Sequence, residues 1–226
     1  ARQLDTQRVL FASTVWIYSG SHGTMANEET HLQSSGAGHI YNTTKIAAEM
    51  LINDYNKLYG LPFTIMRYGI PYGPRARPTA VVPIFVRKAL NKQPLTIQGD
   101  GSQFRFFIYV EDLAEANIAA LKKIAKNQVY NFDGYKPTTI RQIAETIKNV
   151  LGDVEIVYTP ARSGDYQGKF TSIDKARREL DWEPRTPFEM GLAKYVEWHK
   201  ENHEMIESIM KARELALQAA DSEKQN

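Results

Sequence analysis

Tyr41 and Lys45 stand four residues apart in a sequence of 226 residues, and on a helix that spacing has a chemical use. Residues at i and i+4 share one face, one turn apart. An ammonium held beside a phenol favours the phenolate, the form that takes a proton from a hydroxyl. Tyr and Lys also meet at this spacing by chance in many helices, so the pair gains meaning only from a third group beside it. Thr14 follows a short apolar run, Val9-Leu10-Phe11-Ala12, of the kind that forms a strand buried on both faces. Open parallel sheets place their sites beyond the carboxyl ends of the strands. There the Thr14 hydroxyl and the Tyr41 and Lys45 side chains can address one point in space.

The elements that would position these groups follow from the pattern of apolar residues. From Ile40 to Tyr59, Ile46, Ala47, Met50, Leu51, Tyr55 and Leu58 recur at intervals of three and four, which predicts an amphipathic helix ended by Gly60. Phe63 to Tyr68 reads as a second buried strand, and strand, helix, strand in this rhythm implies a parallel crossover. Ser19 to Gly38, rich in Gly and Ser, predicts a loop carrying Asn27-Glu28-Glu29 close to a site. Gly69 to Ala80, rich in Pro and Gly, leaves the sheet. Beyond it the pattern predicts helices over 82–90, 112–124 and 174–180, a helix capped by Thr138 or Thr139 and running to Val150, and one long helix from Phe188 to about Ala219. Strands are predicted at 95–98, 106–110, 129–132 and 155–158.

Composition narrows the classes. With 42% apolar and 24% charged residues the chain can bury a core, and a net charge of +2 spread evenly gives no footprint for nucleic acid or for a membrane surface. The absence of cysteine excludes disulfides, thiolate zinc sites and cysteine nucleophiles. His22, His31, His39, His199 and His203 form no metal constellation. No apolar run reaches the roughly 20 residues of a spanning helix, and nothing at the start reads as a signal peptide, so a cytoplasmic protein is expected. Ala1 to Asp5 look like the last turn of a helix running into a strand, as though the sequence opened within a domain.

Taken in order, these segments resemble the extended short-chain dehydrogenase/reductase family. Thr14, followed by Tyr41-Asn42-Thr43-Thr44-Lys45, resembles its Ser/Thr and Tyr-x-x-x-Lys signature. Arg67-Tyr68-Gly69-Ile70-Pro71-Tyr72-Gly73-Pro74-Arg75 is similar to the family's Arg-Tyr-Phe-Asn-x-Tyr-Gly-Pro-Arg segment. Pro94 to Arg105 resembles Pro-Leu-x-Ile-x-Gly-Asp-Gly-x-Gln-x-Arg, and Tyr109-Val110-Glu111-Asp112 resembles Tyr-Val-x-Asp. Tyr130-Asn131, Arg162-Ser163-Gly164-Asp165, Asp174-Lys175-Ala176 and Leu180-Asp181-Trp182-Glu183-Pro184 also fall in family order, so the likeness runs from about residue 8 to 198.

The resemblance implies an α/β fold: the C-terminal part of a Rossmann-like doubly wound parallel sheet with a smaller α/β substrate-binding domain. Residues 1–75 and 106–133 would form the partial NAD-binding domain, 76–105 and 134–200 the substrate domain, and 201–226 a charged helical tail. It implies NAD as cofactor and a nucleotide-diphosphate sugar as partner. Tyr41 would be the base, Lys45 would hold the nicotinamide ribose, and Thr14 would hydrogen-bond the reacting oxygen. Ala12, Ser13, Tyr68, Gly69, Ile70 and Pro71 would border the cofactor. Arg105 and Arg162 would clamp the diphosphate, for which a guanidinium fork is suited, while Val82 and Gln98 would line the nucleotide pocket and Asp165 would contact the substrate. The helix 40–59 is the element through which such enzymes form homodimers.

Departures from the family pattern shape the expected reaction. Gly69-Ile70 stands where Phe-Asn is common, and Phe106 where aspartate is frequent. Val15 and Trp16 follow Thr14 where the family's 4,6-dehydratases carry an acidic pair, so dehydration is disfavoured. No Gly-x-x-Gly-x-x-Gly turn occurs; Gly20, Gly23, Gly36 and Gly38 have the wrong spacing to hold a pyrophosphate. These residues alone should therefore bind NAD weakly. The leading expectation is epimerisation at C4 of a UDP-hexose through a 4-keto intermediate. The alternatives are a reductase or decarboxylase of the same family, or a non-catalytic fragment that binds nucleotide sugars.

Overall fold

The computed structural model describes residues 1–4, 6–32, 39–152, 154–161 and 168–223. Arg162 and Asp165, expected at the substrate, lie outside the described residues, as do Gly36 and Gly38. The chain opens with strand β1 (Val9–Thr14), a 3-10 turn (Val15–Tyr18), strand β2 (Met25–Ala26) and helix α1 (Ile40–Tyr59). It continues through β3 (Phe63–Tyr68), β4 (Ile70–Tyr72), α2 (Val81–Leu90), β5 (Leu95–Gln98), β6 (Phe104–Tyr109) and α3 (Val110–Ala119). Then come β7 (Gln128–Phe132), β8 (Pro137–Thr139), α4 (Ile140–Leu151), β9 (Ile156–Thr159) and β10 (Phe170–Thr171). Helices α5 (Asp174–Leu180), α6 (Phe188–Glu201) and α7 (His203–Glu223) follow.

Three strands pair in parallel in the order β1-β3-β7. Thr14 lies opposite Tyr68, and Tyr68 opposite Phe132, so all three strands end level and their carboxyl ends form one rim. Helix α1 is the crossover between β1 and β3. It starts where the His39 imidazole accepts a hydrogen bond from the Tyr41 amide, and it stops where Gly60 takes left-handed backbone with φ of 66°. A second sheet pairs β4 with β6 in parallel and β6 with β8 antiparallel, while β5–β9 and β2–β10 are short parallel pairs.

Side-chain alternation along β6 ties two cores together. Phe107 and Tyr109 join Tyr72, Phe85, Ile97, Ile143 and Leu192 in one cluster, while Ile108 between them joins Met66, Tyr130, Phe132 and Trp182 in the other. Helix α4 owes its start to a capping box: the Thr139 hydroxyl accepts from the Gln142 amide, and the Gln142 side chain accepts from the Thr139 amide. Among the described residues no helix is long and apolar enough to cross a membrane, and no cluster of metal-ligating side chains occurs.

Several expectations need correction. Residues 70–72 leave the β1-β3-β7 sheet, as expected, but join the second sheet as β4, and the very short β2, β8 and β10 carry too few residues for periodicity to reveal. The long C-terminal helix is two helices, broken at Asn202. Helix α3 ends at Ala119, with a separate 3-10 turn at Lys123–Ala125. Of the apolar stripe read on α1, only Ile46 is buried; Met50, Leu51, Tyr55 and Leu58 are exposed, and the inner face is completed by Asn42 and Glu49.

The turn after β7 shows how closely the two sheets approach. A Cβ at Gly134 would stand 2.2 Å from the Phe107 carbonyl oxygen, a contact that only backbone movement relieves. Gly134→Ala is expected to cost about 2–3 kcal/mol as an overpacking substitution, lowering the melting temperature followed by circular dichroism by roughly 5–10 °C.

Candidate active site

The rim at the carboxyl ends of β1 and β3 receives the first turns of α1. Lys45 donates from Nζ to the Ala12 carbonyl at 2.9 Å, which anchors the side chain on β1. From there its Nζ lies 5.0 Å from the centre of the Phe11 ring and 5.7 Å from that of Tyr41. Tyr41 is half exposed, with its ring edge-on to His39. Thr14, the last residue of β1, is buried, and its Oγ1 accepts from the Trp16 amide at 3.2 Å. A hydroxyl used this way keeps its own proton to donate. The structure thus brings Tyr41 and Lys45 together at the strand that Thr14 ends.

Beneath this rim lies a polar network that the sequence reading missed. Arg67 of β3 donates through Nη2 to Glu49 Oε2 at 2.6 Å and through Nε to Oε1 at 3.1 Å. The two side chains are only 6% and 5% exposed. Ser13 donates to the same Glu49 oxygen, and Arg67 Nη1 reaches Tyr18 Oη at 2.6 Å. Tyr18 in turn donates to Asn131 Oδ1 at 2.9 Å, while the Asn131 amide donates to Glu28 Oε1 at 2.8 Å. Burial pushes the Tyr18 hydroxyl up to about 12 against the lowering pull of Arg67, so it stays a neutral relay. Burial opposes the Arg67 cation, but the Glu49 hydrogen bonds and neighbouring charges outweigh it and raise its pKa above the ordinary arginine value. Ser13, expected beside the cofactor, is instead turned into this network.

The signal for the network was present in the sequence. An arginine within Phe63-Thr64-Ile65-Met66-Arg67, a strand buried on both faces, has to find a carboxylate partner in the interior.

The remaining expected residues spread over the rim. Tyr68 donates to Asn117 Oδ1 at 2.7 Å, the Gly69 amide donates to the Phe132 carbonyl at 2.8 Å, and Pro71 is exposed. Ile70 and Arg105 line a small cavity of about 30 Å3 together with Trp16, Asp133 and Lys169. The Arg105 guanidinium packs 5.5 Å from the Trp16 ring centre and donates to the Phe104 carbonyl at 2.6 Å. Gln98 is half buried at the end of β5, and Val82 is 1% exposed within the core, so neither is brought to this cavity.

Asp133 is the second residue that the sequence reading passed over. It is 2% exposed, and its Oδ1 accepts from the Gly134 amide. Burial pushes its carboxyl up to about 7, against the lowering effect of that amide and of Thr171. Near neutrality it can therefore give or accept a proton at the cavity wall. A Cβ at Gly69 would stand 1.9 Å from its Oδ1, so the room this carboxyl occupies exists because residue 69 is glycine.

A parallel sheet whose strand ends carry a helix-borne Tyr and Lys four residues apart defines a Rossmann-like protein of the short-chain dehydrogenase type. Residues 1–132 match the NAD dependent epimerase/dehydratase family, and the chain belongs to it. It is 33% identical over 209 residues to the UDP-glucuronate 4-epimerase of Thermodesulfobacterium geofontis, a match covering 92% of this chain and 64% of that protein. It is also similar to the crystal structure of the Thermotoga maritima UDP-glucose 4-epimerase with UDP-glucose. There the TM-score is 0.81 at 31% identity, with 89% of this chain and 66% of that one covered. The Bacillus cereus UDP-glucuronic acid 4-epimerase, solved with UDP-glucuronic acid and NAD, gives a TM-score of 0.80 at 27% identity, covering 88% of this chain and 63% of that one. The chain therefore spans a little under two thirds of the length of these relatives.

The family's cofactor is NAD. The donor set on the rim suits its nicotinamide-ribose end: an ammonium anchored beside a phenol, with a strand-end hydroxyl free to donate. The residues of this chain do not offer the glycine turn that would hold the pyrophosphate.

The buried carboxyl of Asp133 makes stability depend on pH. Its folded pKa, about 7, lies above the ordinary 3.8, so its contribution is fully present below about pH 4 and is lost as pH rises through 7. By linkage the loss amounts to about 4 kcal/mol. Asp133→Asn, which keeps the acceptor for the Gly134 amide, is expected to remove that part of the pH dependence and to raise urea stability at pH 8. An unchanged stability profile between pH 4 and 8 would show that Asp133 titrates as an ordinary carboxylate.

Proposed function

We propose that this chain carries the proton-transfer and sugar-binding part of an NAD-dependent nucleotide-sugar epimerase, acting at C4 of a UDP-hexose. The observation that carries this reading is Lys45 anchored on the Ala12 carbonyl beside the Tyr41 ring, at the strand that Thr14 ends. Bound NAD supplies a hydride acceptor that later returns the hydride to the sugar carbon. Tyr41, as a phenolate that Lys45 stabilises, takes the proton of the C4 hydroxyl and becomes the neutral phenol, while Lys45 also holds the nicotinamide ribose. Thr14 donates its hydroxyl proton to the oxygen as it becomes the carbonyl of a 4-keto sugar. The sugar then presents its other face, and Tyr41 returns the proton as the alcohol re-forms. The half-exposed position of Tyr41 favours a substrate that approaches from solvent.

Arg105, packed on Trp16 at the small cavity, clamps the diphosphate together with Arg162 in this reading, and Asp165 contacts the substrate. Residues 1–75 and 106–133 form the nucleotide-binding half, 76–105 and 134–200 the substrate half, and 201–226 a helical tail. Met50, Leu51, Tyr55 and Leu58, exposed on α1, form the contact of a homodimer. The absence of an acidic pair after Thr14, where Val15 and Trp16 stand, favours epimerisation over dehydration. The absence of the glycine turn favours a second reading, in which these 226 residues alone bind nucleotide sugar without turning it over.

Calorimetric titration with NAD and with UDP-glucose separates the readings. It is made on this chain and on a version carrying whatever its reading frame encodes before Ala1. The expected result is NAD binding and interconversion of UDP-glucose and UDP-galactose by the longer version only. In that version Tyr41→Phe lowers kcat by about 10²-fold or more, the scale of a lost general base, and Lys45→Met weakens NAD binding as well. If neither version binds either ligand, the substrate assignment fails and the likeness marks only a fold.

A further inference from the structure

A cavity of about 350 Å3 lies between α2, α6, α7 and the segment that follows β4, formed by residues that take no part in the site described above. Its walls are largely apolar: Pro83, Trp198, Ile206 and Ile209. Its charged lining residues are both cations, Arg75 and Arg87, and among the described residues neither guanidinium group has a hydrogen bond or ion pair. His199 also lines it. This residue is 1% exposed, and its Nδ1 has no hydrogen-bond partner. A polar atom buried in that state has lost water without replacement and invites a ligand atom to satisfy it. The α6 and α7 walls, from Tyr195 to Ile209, lie beyond residues 1–132 that match the family.

We propose that this cavity binds a small organic anion: an apolar body of about 15–20 heavy atoms, the size such a volume admits, with an acidic head held by Arg75, Arg87 and His199. The guanidinium groups supply charge and paired donors for a carboxylate, sulfonate or phosphate. Burial, with His203 and Arg87 as neighbours, holds the His199 imidazole below the ordinary histidine value against the raising effect of Glu207. His199 therefore serves as a neutral donor rather than a third cation. Glu207, whose carboxylate acts on His199, stands outside the lining. Trp198, stacked on Tyr195, adds an aromatic ring to the wall.

The test is fluorescence titration of the whole 226-residue chain with 8-anilino-1-naphthalenesulfonate at pH 7.5, beside its uncharged relative N-phenyl-1-naphthylamine. The expected result is saturation at one sulfonate per chain, with the uncharged compound binding about tenfold more weakly. Arg87→Met should weaken the sulfonate about tenfold or more, the value of a charge-assisted contact, and leave the uncharged compound unchanged. Ile209→Trp, at the half-exposed rim, should abolish binding of both. Circular dichroism melting of each variant shows whether it folds, and Arg87→Met, which removes no existing partner, carries the test if Ile209→Trp does not fold. Equal binding of the two compounds, several sulfonates per chain, no binding, or indifference to Arg87→Met would each overturn the proposal, leaving the cavity as a packing gap between helices.

Discussion

The arrangement of this protein hangs on a buried ion pair. Arg67 and Glu49 are almost fully withdrawn from water, where an unpaired charge costs several kcal/mol, and they meet in a two-point contact that fixes distance and angle together. Because Arg67 belongs to β3 and Glu49 to the third turn of α1, the contact sets how the helix lies on the sheet. Ser13 adds β1, Tyr18 adds the turn after it, and Asn131 adds β7. Tyr41 and Lys45 sit two turns and one turn before Glu49, so their place above β1 follows from that bond. Such a pair contributes less to net stability than to uniqueness, since an apolar pair of equal volume would fill the space but would not fix the angle.

This also explains why the α1 stripe misled. Amphipathic reasoning assumes that the inner face is the apolar one. Here Asn42, Ile46 and Glu49, at the proper helical spacing, turn inward, and the apolar residues Met50, Leu51, Tyr55 and Leu58 are left outside. The helix bounds themselves were legible, Ile40 to Tyr59, because Gly60 and the change of period mark them whichever face is buried. So were β3, β5 and α5, each with apolar pattern and turn chemistry in agreement. The site was legible in part for a different reason. Tyr41 and Lys45 are local, one turn apart, whereas the Arg67 network joins residues 13, 18, 49, 67 and 131, and no local pattern records such distant pairings.

Strand β6 contributes to both clusters of the core. Its alternate residues belong to different cores, so the strand cannot shift by one position without turning Phe107 and Tyr109 out of one and Ile108 out of the other. That register fixes where Arg105 emerges, packed on Trp16 just past the end of β1. Trp16, from the turn after β1, and Arg105 of β6 thus share the wall of the small cavity.

Two departures from the family pattern meet at that cavity and reduce to one steric event. Glycine at 69, where phenylalanine is common in the resembling segment, looks in isolation like a lost contact. The buried Asp133 looks in isolation like a misplaced charge. Yet a Cβ at 69 would overlap the Asp133 carboxyl oxygen at 1.9 Å, so an aromatic ring there and this carboxyl position exclude one another. Glycine at 69 leaves room for a carboxyl that burial pushes up to about 7. A group of that kind can donate to one hydroxyl and accept from another without movement of the backbone. Trp16, Ile70 and Arg105 share the wall of the small cavity with it.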